Sequence, residues 1–139
     1  MTKRVVMCRI GKKAIVEDIE TDLKTLQKIV DGYVECLNLG TSVEDMDDID
    51  LWLNEEGRFS EPLNRVIPAV VPKLSELFKD AMIIKVDPDL ADPGQDGVWE
   101  IFGNFFLARR SEDGKIISLT DSDIQKITDL MDRLMVRPS

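Results

Sequence analysis

The apolar residues of this chain come in short runs, and nearly every run is closed by a turn-forming segment. Val5 to Ile10, Ala14 to Ile19, Tyr33 to Leu39, Ile49 to Leu53, Ala81 to Val86 and Trp99 to Leu107 are separated by stretches carrying Gly, Pro, Asn or Asp. Runs of this length, rich in Val, Ile, Phe and Tyr, read as β-strands. Gly11-Lys12-Lys13 lies between the first two as a hairpin connection. Lys115 to Leu119 reads as a further strand, returning onto the Trp99 to Leu107 run. The punctuation leaves room for few helices. Thr21 or Asp22 can cap one running to Val30, with Leu23, Leu26, Ile29 and Val30 on one face. Asp31-Gly32 ends it, with Gly32 suited to a left-handed position. Pro62 to Lys79 predicts a short helix through Leu63, Val66, Ile67 and Val70, a break at the prolines, and a second short helix from Pro72 to Phe78. Asp87 to Gly97 reads as a surface loop. The clearest helix is C-terminal. Thr120 caps it, Asp123 completes a capping box, and Ile124, Ile127, Leu130, Met131, Leu134 and Met135 give it an apolar stripe. The fold class is therefore α+β: a mixed, largely antiparallel sheet of six or seven strands, with helices packed on one face, in a single domain over residues 1–139.

Composition removes several function classes. The chain carries 27 acids against 18 bases, a net charge of −9. Phosphate-backbone binding works through clustered Lys and Arg, so direct nucleic-acid binding is not expected. An acidic surface can instead imitate nucleic acid before a basic cleft, or simply keep the protein soluble. There is no histidine. That excludes Ser-His-Asp and Cys-His catalysis and metal sites built on imidazole. Cys8 and Cys36 lack metal-ligand spacing and read as buried free thiols. No run is long enough to span a membrane, and the N-terminus does not read as a signal peptide. A cytoplasmic protein without a cofactor is expected.

Two stretches share one plan: Asn54-Glu55-Glu56-Gly57-Arg58 and Ser111-Glu112-Asp113-Gly114-Lys115. A small polar residue first and a glycine fourth is the preference of a type I turn, extended by a glycine bulge in a three-residue hairpin. Turn chemistry alone accounts for Ser111 and Gly114. The first copy carries more. Seven of the thirteen residues from Glu44 to Glu56 are acids and none is basic. Glu44, Asp45, Asp47, Asp48 and Asp50 form a candidate acidic surface. Their spacing lacks the glycine and distal glutamate of a calcium loop. Asn64-Arg65 follows close behind, and Arg65 can grip a carboxylate or phosphate with its planar fork, or pair with Glu55 or Glu56 and pin helix to hairpin. Arg109-Arg110 read as a solvated strand end that could join the same cationic spot.

The segments NEEGRFSEPLNRVIPA and IFGNFFLARRSEDGKIISLTDSDIQKI, with IVDGYVECLNL before them, resemble a family of small proteins described only as a domain of unknown function, found in phages, plasmids and bacterial genomes. The likeness runs from about Ile29 onward. The shared positions are Asn54, Glu55, Glu56, Gly57, Asn64, Arg65 and Gly103. The acidic stretch and the Asp87 to Gly97 loop look like local elaborations. The resemblance implies a genomic setting and no mechanism. Three readings follow. The first is a non-enzymatic binding protein of a phage or mobile element. It would engage a host protein or a small anionic ligand at a hairpin–helix corner of Asn54, Glu55, Glu56, Arg58, Asn64 and Arg65. The second is an acidic nucleic-acid mimic that inhibits a DNA-binding host enzyme. The third is a histidine-free carboxylate enzyme.

Overall fold

The computed structural model describes residues 2–39, 46–68 and 98–135. The elements, in chain order, are β1 (Lys3–Cys8), β2 (Ile15–Ile19), α1 (Leu23–Val30), β3 (Val34–Asn38), β4 (Ile49–Asn54), α2 (Gly57–Ser60), β5 (Leu63–Pro68), β6 (Val98–Phe102), β7 (Phe105–Arg110), β8 (Ile116–Ile117) and α3 (Asp121–Arg133). The main sheet has the strand order β2-β1-β7-β4-β3, with β8 paired to the end of β7. Every described pairing is antiparallel. The α+β class holds. β5 and β6 form a separate two-stranded sheet.

Alternation along the strands sorts side chains onto two faces. Val6, Cys8, Leu51, Phe105 and Leu107 face one way and join Ile127, Leu130 and Met131 of α3, together with Ile67 and Ile101 of the small sheet. Val5, Met7, Phe106 and Ala108 face the other way and meet Leu26 of α1. The two main helices therefore cover opposite faces, not one face as the sequence suggested. The reason is connectivity. β2 and β3 are the two edges of the main path, so the chain between them must cross a face, and α1 makes that crossing. Helix α3 follows β8 and lies on the other side. Each Leu, Ile or Phe so buried contributes roughly 1.5–3 kcal/mol. Leu107, with no exposed surface, pairs with Val6 on one side and Leu51 on the other, at the sheet's centre.

The helix ends follow the sequence closely. The Asp22 carboxylate accepts from the Thr25 amide at the start of α1. At α3, Thr120 and Asp123 form both halves of a capping box. Three expectations fail. The segment Leu63–Pro68 is a strand, because Ile67 alternates inward and pairing with β6 satisfies its backbone. The left-handed residue after α1 is Asp31, at φ 61°, and not Gly32. The Trp99 to Leu107 run is broken at Gly103, so its halves join different sheets. The expected helix from Pro72 to Phe78, the strand Ala81 to Val86 and the loop Asp87 to Gly97 lie outside the described residues.

Candidate functional site

The two similar turns differ in structure. Ser111 to Lys115 is a hairpin turn between β7 and β8. The Ser111 amide donates to the Lys115 carbonyl at 2.8 Å, and Gly114 sits at φ +82°, where a side chain would be strained. Asn54 to Arg58 is no hairpin. β4 pairs with β3 and β7, and Gly57 to Ser60 turns into the short helix α2.

Asn54 explains the difference. Its side chain is buried and its amide nitrogen donates to the carbonyls of Val30 and Asp31, at 3.1 and 3.0 Å. Those carbonyls end α1 and would otherwise lack partners. The Asn54 side-chain oxygen accepts from the Glu56 amide at 2.8 Å. One side chain thus closes a helix and starts the next turn. Gly32 is required for this contact. A Cβ there would stand 2.6 Å from the Asn54 amide nitrogen.

Asn64 and Arg65 lie on β5, both with no exposed surface. The Asn64 amide nitrogen donates to the carbonyls of Cys8 and Gly103, at 3.0 and 2.7 Å. Its oxygen accepts from Arg65 Nη1. Arg65 Nε donates to the Met131 carbonyl and Nη2 to the Lys12 carbonyl, each at 2.7 Å. Burial pulls the guanidinium's pKa down, against the opposing influence of Cys8 and Asp132. The Asp132 carboxylate itself accepts from the Ala14 amide at 2.7 Å. Arg65 therefore fastens the β1–β2 turn, β5 and the end of α3 with backbone carbonyls as partners. The expected pairing of Arg65 with Glu55 or Glu56 is not formed, and Arg65 is not presented to a ligand.

The residues left on the surface of the corner are different ones. Glu55 and Glu56 are exposed. The Glu55 amide donates to the Tyr33 carbonyl at 2.8 Å, which places Tyr33 beside them. Tyr33 is 70% exposed and Phe59, on α2, 79% exposed. Glu61 is hydrogen-bonded to Asp31, and that contact, with some burial and the like charge of Asp31, holds its carboxyl above the usual carboxylate range. Arg58 lies on α2, and its side chain is outside the described set. The corner is thus two exposed aromatic rings among four acids: Asp31, Glu55, Glu56 and Glu61. The sequence reading named Glu55 and Glu56 as candidates and did not name Tyr33 or Phe59. The available signal was Phe59 standing two residues after a turn glycine, with no apolar neighbour to extend a strand.

The acidic stretch is partly neutralised. Asp50 is buried and pairs with Arg110 at 2.8 Å. Asp48 pairs with Arg109 at 3.4 Å, and Arg110 also donates to the Asp47 carbonyl at 2.7 Å. Arg109 reaches Asp123 as well, at 2.7 Å. Arg109 and Arg110 are therefore not a solvated strand end; they pin the acidic stretch to β7. Asp47 remains exposed, while Glu44 and Asp45 lie outside the described residues. Both cysteines are free; Cys8 is buried as expected, but Cys36, on the edge strand β3, is exposed and not the buried thiol the sequence suggested. Burial pushes the Cys8 thiol up to about 12, and partial desolvation of the sulfur beside the Asp50 carboxylate raises Cys36 to about 12 as well, so neither is a ready nucleophile at neutral pH. Among the described residues no group of three or more His, Cys, Asp or Glu could hold a metal ion. No described helix is long and apolar enough to cross a membrane.

Asn54, Asn64 and Arg65 thus belong to the scaffold of the fold. The family described as a domain of unknown function, DUF3846, matches residues 1–132. The chain belongs to that family. The match covers both the main sheet and most of α3, so the DUF3846 domain is the fold described above and not one motif of it. No curated protein and no solved structure matches the chain.

Proposed function

We propose that this DUF3846 protein is a non-enzymatic binding protein that takes a protein partner at the corner between α1, β4 and α2. The observation that carries this reading is the pair of exposed rings, Tyr33 and Phe59, set among Asp31, Glu55, Glu56 and Glu61. Aromatic side chains supply much of the binding energy at protein interfaces. Crowded carboxylates select a partner carrying Lys or Arg, which can also stack on the rings. The resemblance to proteins of phages and plasmids makes a host protein the natural candidate. A small anionic ligand fits poorly, because the corner is acidic and Arg65 is withdrawn into the core. A nucleic-acid mimic would need free carboxylates, whereas Asp48 and Asp50 are held by arginines. A carboxylate enzyme would need Glu55 or Glu56 inside a cleft, and both are exposed.

The test compares proteins retained from a bacterial lysate by the wild-type chain and by a Tyr33→Ser, Phe59→Ser double variant. The reading expects a retained protein with a basic surface. Its capture is lost in the variant and weakens as salt rises. Equal capture by both chains contradicts it.

A further inference from the structure

The face of the sheet that carries α1 is only partly covered by that eight-residue helix. Beside it, between the start of α1 and the β7–β8 hairpin, lies an open groove of about 670 Å³. That volume is within the range of small-molecule sites, roughly 300–1,000 Å³. Trp52 belongs to its floor and stacks on Phe106 at 6.2 Å between ring centres and 7° between planes. Leu23 and Leu26 form one wall and Ile116 the other. Leu23 is 59% exposed, although its position on α1 would suit a core residue. Trp52 also carries the one buried side-chain polar atom that lacks a hydrogen-bond partner among the described residues, its indole Nε1. Such atoms are rare in native proteins, because each costs roughly 1–3 kcal/mol.

The charges at the mouth are unlike the rest of the chain. Lys3, Lys115 and Asp113 line the groove, two bases against one acid, in a protein of net charge −9. No ion pair engages Lys3 among the described residues. Lys115 lies 3.7 Å from Asp113, with both side chains largely exposed, and Asp113 is also hydrogen-bonded to Ser111. Sequence alternation explains the placement: Lys3 shares a strand face with Val5 and Met7, so it stands at the end of an apolar stripe. An apolar lining with an aromatic ring, and two lysines of which one is paired with an exposed aspartate, selects a particular chemistry.

We infer that this groove binds a small organic anion. Its planar apolar body would lie against Trp52, Leu23 and Leu26, and its carboxylate, sulfonate or phosphate group would be met by Lys3 and Lys115. This site is separate from the corner of Tyr33 and Phe59, and neither depends on the other.

The probe is 8-anilinonaphthalene-1-sulfonate, with N-phenyl-1-naphthylamine as the same body without the charge. Both are titrated into the folded chain, with fluorescence and calorimetry as readouts. The inference expects saturable binding of one sulfonate probe per chain and at least tenfold weaker binding of the neutral one. Lys3→Met and Lys115→Met together should weaken the sulfonate probe about tenfold and leave the neutral one unchanged. Leu23→Asp, at an exposed position, should weaken both while circular dichroism stays the same. The inference is overturned by non-saturable binding, by equal affinity for the two probes, or by variants that bind as the wild type does. It is equally overturned if sedimentation shows a dimer that Leu23→Asp dissociates, since a second copy would then fill the groove.

Discussion

Asn54 and Arg65 show how a polar side chain can look like a ligand group in sequence and act as a fastener in the fold. Both were candidates because an amide and a guanidinium beside acids can grip a ligand. Both instead spend their donors on backbone carbonyls: Val30 and Asp31 for Asn54, Lys12 and Met131 for Arg65. Burial decides between the two uses. A polar group removed from water must find partners inside the protein, and carbonyls at helix ends and turns are the ones in need. Replacing Asn54 by Asp keeps the shape and reverses the chemistry. The carboxylate would face two carbonyl oxygens and leave both without donors. At roughly 1–3 kcal/mol for each acceptor so stranded, the variant should lose about 2–6 kcal/mol. Urea denaturation, with an unchanged slope, is the measurement that checks it.

Elements with strong local chemistry were legible in the sequence. Helix α1 has its Asp22 cap, α3 has its capping box, and the β7–β8 hairpin has Gly114 where the turn requires it. Two elements were not legible, for different reasons. β5 has apolar residues at spacings that also suit a helix, and only its pairing with β6 decides the matter. α2 replaces a hairpin because Asn54 is held by the end of α1, an interaction between residues more than twenty positions apart. The α3 cap also predicts a pH response. Burial tends to raise the Asp123 carboxyl, but hydrogen bonds from Arg109 and Thr120 outweigh it and hold the group below the usual carboxylate range. Its stabilising contribution is complete above the unfolded value, about 3.9, and is lost as pH falls from there through the lower folded value. Glu61, raised by Asp31, has the opposite sign, so the comparison needs a variant. Thermal midpoints from pH 6 to pH 2 should fall more steeply for the wild type than for Asp123→Asn, with the excess confined to the region below about pH 4.

Across the whole molecule, the corner proposed from sequence divides into two layers. Asn54, Asn64 and Arg65 form the inner layer and join α1, the β1–β2 turn, the β6–β7 turn and α3. Glu55, Glu56, Tyr33 and Phe59 form the outer layer. The sequence grouped these residues in one expected corner but could not separate the layers, because exposure depends on which strands flank β4 and where β5 pairs. The helices on both faces of the sheet, and the groove beside α1, were beyond it for the same reason. Thermal unfolding of two variants tests the division most directly. Arg65→Met removes the donors to the Met131 and Lys12 carbonyls and to Asn64, a loss of roughly 3 kcal/mol or more, and should lower the midpoint by about 10 °C. The Glu55→Gln, Glu56→Gln, Phe59→Ser triple variant alters exposed positions and should stay within about 2 °C of the wild type. An Arg65→Met chain as stable as the wild type, beside a triple variant that unfolds early, would contradict the account.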